Sequence, residues 1–426
     1  MSVGLATLFL VFVAAVLVDF PIAFALALAA LAYLFVADTA PVLVAAQRTV
    51  AGLDSFTLLA IPLFVLAGGL LTRSGLTERI VRLCAALVGR TAGGLALTMV
   101  VACLLFGALS GSGVADVIAI GTLLLPAMAR RGYPPGFSSA LLGCAGSLGT
   151  IIPPSIVMIV YGVATGTSIG QLFMAGIVPG ILCGGALMLV AWIQARRHGW
   201  RGGEPFRWSE FGLALREAAL ALVAPVIIVG GIRTGVFTAT EAGGIGVAYA
   251  FLIGTLVTRT LDAAAIWEEL KRTAEISGAI LLVIGTASLF GWILAAERTP
   301  QLVVQALVSL TDSRILVLLI LMALLLVLGT FMETIAIILI LAPIFSALFP
   351  RYGIDPVHFG LLLTLNLAIG ANTPPLGIDL MAACRVAGIP MSESFRYLWP
   401  FLAAMAAVTL LVLVFPELAT WLARPR

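Results

Sequence analysis

Gly149-Thr150-Ile151-Ile152-Pro153-Pro154-Ser155 recurs in this chain as Gly370-Ala371-Asn372-Thr373-Pro374-Pro375-Leu376, 221 positions later. The match extends outward at the same spacing, pairing Pro135 with Pro356 and Pro179 with Pro400. Both copies lie in apolar sequence. A helix in a bilayer must satisfy its own backbone, and a Pro-Pro pair removes donors and leaves carbonyls open, which lipid cannot satisfy. Each break therefore needs protein or a bound ion against it. Oxygens at the end of the first half-helix suit a hard cation, and amides opening the second suit an anion. The alternative is a proline kink that only shapes packing; recurrence at the same place in both halves, each facing a hairpin tip, favours the functional reading. Matched interruptions of this kind point to a midplane binding site.

Composition sets the class. The chain has 426 residues, 62% hydrophobic and only 10% charged, too much apolar surface for a soluble fold. It reads as an all-α, polytopic membrane protein, one transmembrane domain over residues 1–426 with repeats at approximately 55–200 and 276–416. A net charge of +3 gives no reason to expect nucleic acid. Cys84, Cys103, Cys144, Cys183 and Cys384 show no metal or redox spacing and read as small core residues, so neither a disulfide framework nor a transition-metal site is expected. The N-terminal apolar run lacks a preceding basic region, which predicts a retained span.

Two apolar segments are too long for one crossing and too short for two. Residues 91–129 hold no basic residue and are flanked by Arg79, Arg82 and Arg90 on one side and by Arg130 and Arg131 on the other. Basic residues favour the cytoplasmic side, so both flanks face the same way. Ser110-Gly111-Ser112-Gly113 breaks the segment into arms of about 16 residues, roughly 24 Å each and short of a roughly 30 Å core. This predicts a re-entrant hairpin. Residues 315–350 repeat the pattern, with a break at Gly329-Thr330 and Glu333 as the only charge before Arg351. Following the topology through the basic clusters at 196–207 and 259–272, the second hairpin enters from the opposite face, making the halves inverted repeats. Most basic residues then face the cytoplasm; the Arg424 and Arg426 tail is the main exception. Residues 76–90 and 262–276, where Trp267 and Leu270 alternate with Glu268, Glu269, Lys271 and Arg272, read as amphipathic helices at the interface, the alternative being the frayed end of a spanning helix.

Few residues here could carry chemistry. Asp116 and Glu333 follow the hairpin breaks, where a carboxylate is stabilised by the helix dipole, and Thr330 to Glu333 fits a capping box. The alternative is an intramembrane carboxylate that takes part in ion coupling. Asp379 and Arg385 are the other charges in apolar sequence beyond the second break; Arg385 either snorkels or meets a substrate carboxylate. His198 and His358 have no partner at metal or catalytic spacing, and Ser110 to Gly113 lacks the glycine and histidine context of an intramembrane serine protease. An enzyme is not expected.

Ser110-Gly111-Ser112-Gly113-Val114-Ala115-Asp116, Ile152-Pro153-Pro154-Ser155, Gly235-Val236-Phe237-Thr238-Ala239-Thr240-Glu241-Ala242 and Gly329-Thr330-Phe331-Met332-Glu333 together resemble the large membrane subunit of tripartite ATP-independent periplasmic (TRAP) transporters. The resemblance covers essentially the whole chain. It implies an elevator-type, sodium-driven importer of small organic acids, such as C4-dicarboxylates or sialic acids, in the bacterial inner membrane, with sodium as coupling ion and no other cofactor. It also implies two partners, a small four-helix membrane subunit on a separate polypeptide and a soluble periplasmic substrate-binding protein. By motif, one sodium site would use Gly329, Gly370, Thr373 and Leu376, and its pseudo-symmetric counterpart Ser110, Ser112, Gly149 and Ser155. Thr150, Asn372, Asp116, Glu333, Asp379 and Arg385 are the candidates for substrate contact. Glu333 replaces an expected aspartate and Asp379 a common neutral amide, so the substrate stays open.

A second reading is a self-sufficient sodium/carboxylate carrier of the related ion-transporter superfamily, which shares hairpins and broken helices but needs no binding protein. A membrane scaffold ranks last, since it gives no reason for polar breaks at matched depths.

Overall fold

The computed structural model describes residues 2–200 and 207–424, and every regular element within them is helical. Arg201, within the first basic cluster, and Arg426 lie outside the described residues. Among the described residues, seven helices are long and apolar enough to cross a membrane by length and composition. The molecule's outer face is apolar as well: Leu17, Trp208 and Val226 stand 80%, 78% and 70% exposed. Such a surface is costly in water and at rest in lipid.

Helix ends follow the capping chemistry of the sequence. Ser168 accepts from the Gln171 amide to open Ile169–His198, and Asp355 accepts from Val357 and His358 to open Pro356–Gly370. Thr238 and Glu241 form a reciprocal capping box at the start of Ala239–Leu252, within the segment that carries the family resemblance.

Both predicted hairpins are present. The first has arms Gly94–Ser110 and Gly113–Arg130, turned at Gly111, which has a φ of 63° that a side chain would resist. The second has arms Arg314–Gly329 and Thr334–Ser346. Both broken helices are present too, as Pro135–Gly146 with Ile156–Thr165 and Pro356–Gly370 with Ile378–Ala387. Each opens on its matched proline, and each Pro-Pro peptide is cis. Pro179 and Pro400 lie inside the helices that follow, Ile169–His198 and Phe395–Val414. The halves interlock: Ile378–Ala387 packs on the first hairpin's Gly113–Arg130, and Ile156–Thr165 packs on the second hairpin's Thr334–Ser346.

Two expectations are corrected. Residues 262–276 are not a separate interfacial helix. Asp262 caps a helix that runs unbroken over Ala263–Ala296, 34 residues, because no proline interrupts it. At about 1.5 Å per residue this rod far exceeds a roughly 30 Å core. Its amphipathic start is held by Glu269, buried and paired with Arg73 at 2.7 Å across the bare backbone of Gly69. Residues 76–90 do form a separate amphipathic helix, Leu76–Val88, burying Leu76, Ile80, Leu83 and Cys84 on one stripe. The second correction concerns the capping box at Thr330 to Glu333, which does not form. Glu333 is itself the cap, accepting from the Ala336 amide at 3.2 Å, while the Thr330 hydroxyl turns back to the Val327 carbonyl at 2.7 Å.

Candidate functional site

Each hairpin tip is seated on the break of its own half, and the two seatings are built alike. At the first, the Ile156 amide donates to the Gly111 carbonyl at 3.4 Å; at the second, the Leu376 amide donates to the Thr330 carbonyl at 3.4 Å. Glycines let the backbones close. A methyl group on Gly107 would lie 2.7 Å from the Gly149 Cα, and one on Gly370 would lie 2.9 Å from the Gly329 Cα. The sequence reading named Gly149, Gly329 and Gly370 but missed Gly107. Its spacing of three from Ser110, which puts both on one helix face, is the signal that could have found it.

The first seating gathers Ser110, Ser112, Asp116, Gly149, Thr150 and Ser155. Ser110 Oγ donates to Asp116 Oδ1 and accepts from the Ser112 amide at 3.2 Å. Asp116 is fully buried, and its Oδ2 has no hydrogen-bond partner. That oxygen points at Gly149, where a methyl group would come within 2.1 Å of it. The Ser155 hydroxyl donates to the Thr150 carbonyl at 2.5 Å and accepts from the Met158 amide at 3.4 Å. The Thr150 hydroxyl donates to the Ser147 carbonyl at 2.7 Å. A dry pocket of oxygens with one unpaired carboxylate oxygen is suited to a small hard cation.

The second seating gathers Gly329, Gly370, Thr373 and the Leu376 amide. The Thr373 hydroxyl donates to the Ile369 carbonyl at 2.8 Å, which leaves its lone pairs free to accept or coordinate. Asn372 is fully buried; its amide nitrogen donates to Ala368, and its Oδ1, against Gly143, has no partner. No carboxylate corresponding to Asp116 is held inside this seating, so the two are chemically unequal.

Between the tips lies a cavity of about 260 Å³. Its wall takes Ser112 and Gly113 from the first hairpin, Thr150 from the first break, Glu333 from the second hairpin, and Ala371 and Asp379 from the second break. Ile276 and Ile280 of the 34-residue helix close one side. The cavity thus collects Thr150, Glu333 and Asp379 from the substrate candidates. Asp116 and Asn372 are not on the wall, and Arg385 is exposed at the last turn of its helix, its guanidinium 3.8 Å from the Met381 sulfur. Gly113, which the sequence placed in the hairpin break but not in the site, has a bare Cα that admits the Asp379 carboxylate from the other half.

Comparison with known proteins places these features in a family. The DctM component of the tripartite ATP-independent periplasmic transporters matches over residues 9–418. The chain is 40% identical to an isethionate TRAP transporter permease protein of Oleidesulfovibrio alaskensis over 98% of this chain, and it spans 66% of that protein's length. It is 39% identical to the sialic acid TRAP transporter large permease of Vibrio cholerae, covering 93% of both chains. It is 38% identical to the C4-dicarboxylate TRAP transporter large permease of Rhodobacter capsulatus, covering 96% of both. In fold it resembles the YdaH transporter of Alcanivorax borkumensis, with a TM-score of 0.59 at 18% identity over 87% of this chain and 88% of that one. With its paired hairpins, its broken helices and a family match over almost its whole length, the chain belongs to the DctM family, the large inner-membrane permeases of TRAP transporters.

Proposed function

We propose that this permease moves small organic acids inward, coupled to sodium, through the cavity between its hairpin tips. The observation that carries the reading is the unpaired, fully buried Asp116 Oδ2 beside Ser110 and the Gly149 backbone. A carboxylate oxygen removed from water without a partner is strongly unfavourable, and a sodium ion would satisfy it. The second cation would sit at Gly329, Gly370, Thr373 and Leu376, where no carboxylate is supplied. The helix N-termini at Gly113, Ile156 and Thr334 give the cavity amide dipoles for an acid group. At about 260 Å³ the cavity is below the roughly 300–1,000 Å³ of ordinary ligand pockets, which favours small acids.

The isethionate, sialic acid and C4-dicarboxylate permeases it resembles suggest an organic anion, and their family suggests a small four-helix subunit and a periplasmic binding protein as partners. The hairpins and broken helices would move together as one body against the remaining helices, carrying the site across the membrane. Proteoliposomes holding the permease with both partners, loaded with a sodium gradient or with a proton gradient alone, test the coupling. Uptake is expected only with sodium, and Thr373→Ala should raise the sodium concentration for half-maximal uptake. Equal uptake in sodium-free medium would overturn the reading.

A further inference from the structure

The ionisable side chains that line the cavity are all acidic. Glu333 and Asp379 line it, and no lysine, arginine or histidine does. The two carboxylates differ in what already holds them. Glu333 caps its own helix through the Ala336 amide. Asp379 is 4% exposed, lines the cavity, and its carboxyl has no hydrogen-bond or ion-pair partner among the described residues. Its backbone amide is fixed by the Ala371 carbonyl at 2.9 Å, and its side chain lies on the first hairpin's tip, where a methyl group on Gly113 would meet Oδ2 at 2.7 Å. The second cation seating is formed on the other hairpin, by Gly329 and the Thr330 carbonyl. Neither this seating nor the residues gathered around Asp116 uses the Asp379 oxygens, which are open to a group bound in the cavity.

Three helix N-termini face the same space. The one at Gly113 is opposed by Asp379, and the one at Thr334 is capped by Glu333. The third opens at Ile156: its first amide goes to the Gly111 carbonyl and its Met158 amide to the neutral Ser155 hydroxyl, with no carboxylate capping it and Val157 and Thr150 on the cavity wall. The cavity therefore offers an anion a helix N-terminus without a carboxylate cap, at Ile156 and Val157, and offers a cation the Asp379 carboxyl.

We propose that the substrate is a small zwitterion: an acid whose carboxylate or sulfonate meets the Ile156 N-terminus and whose ammonium group meets Asp379. This rests on the organic-acid reading above and narrows it, because a dianion of the same size would set its second negative charge against Asp379.

Calorimetric binding to the purified full-length permease in sodium buffer tests this with pairs matched in size: taurine against isethionate, 4-aminobutyrate against 4-hydroxybutyrate, and β-alanine against 3-hydroxypropionate, with succinate as the dianion. In at least one pair the ammonium member is expected to bind about tenfold tighter or more, the gain of a charge-assisted contact over a neutral one. Asp379→Asn should abolish most of that preference. If the hydroxy members or succinate bound as tightly as the ammonium members, the inference would be overturned and the organic-acid reading would stand. An ammonium preference that survived in Asp379→Asn would also overturn it. Binding of no acid at all would overturn both. The wild-type comparison decides even if the variant does not fold.

Discussion

Gly370→Ala separates a packing role of the second seating from a functional one. The added methyl group would lie 2.9, 3.0 and 3.1 Å from Cα, C and O of Gly329, where ordinary contact begins at 3.4 Å. All three atoms are backbone, so no side chain can swing away. The hairpin tip must lift from the break, and overpacking of this kind costs about 1–3 kcal/mol. If sodium binds only the seated tip, that penalty appears as a roughly 5- to 150-fold rise in the sodium concentration for half-maximal effect. The assay is thermal unfolding of the purified protein across a sodium titration, paired with sodium-dependent uptake. Gly329→Ala should act in the same direction but more weakly, its new contacts being 3.3 Å to Gly370 Cα and to the Leu367 side chain. Gly291→Ala is the control: it meets nothing within 4 Å inside Ala263–Ala296, and higher helix propensity should leave it neutral or up to about 1 kcal/mol more stable. A sodium dependence in Gly370→Ala equal to that of Gly291→Ala would refute the argument that the seated tip is the ion-binding state.

Arg73→Ala should destabilise the permease by around the lower end of the ~3–5 kcal/mol range for breaking a buried ion pair, since it strands Glu269 while Arg73 itself is partly exposed; Arg73→Ala with Glu269→Gln should recover much of the loss in a thermal melt, and no recovery would argue against pairing as the cause. With the five buried cysteines removed, Ser112→Cys at the first hairpin tip should label with a membrane-impermeant thiol reagent in inside-out vesicles at a rate that changes with sodium and substrate. Labelling indifferent to both ligands while transport persisted would remove the support for a moving unit. Ser110→Ala should leave both Asp116 oxygens without a protein partner and shift sodium dependence more than Ser346→Ala, whose hydroxyl only returns to its own helix at Pro343; equal shifts would count against a coupling role for Asp116.

The class of the protein, its two hairpins and its two broken helices were legible in the chain because their causes are local. Proline lacks a donor wherever it stands, Gly111 can turn a helix without help, and an apolar run has the length it has. The recurrence of Pro135, Pro153 and Pro154 as Pro356, Pro374 and Pro375 then assigned the breaks to matching places without any coordinates. Contacts between halves were not legible, because they depend on how each helix is rotated against its neighbours. Asp379 meets Gly113, Asn372 meets Gly143, and Glu269 meets Arg73 only after the chain has packed. The same holds for 262–276, whose alternating pattern suits an interfacial helix but continues into a spanning one because nothing interrupts the backbone hydrogen bonds at its end. Residue types and spacing settled where the backbone must break. Only packing decided which buried carboxylate oxygens were left unpaired, and those are the atoms on which the proposed cation and substrate contacts depend.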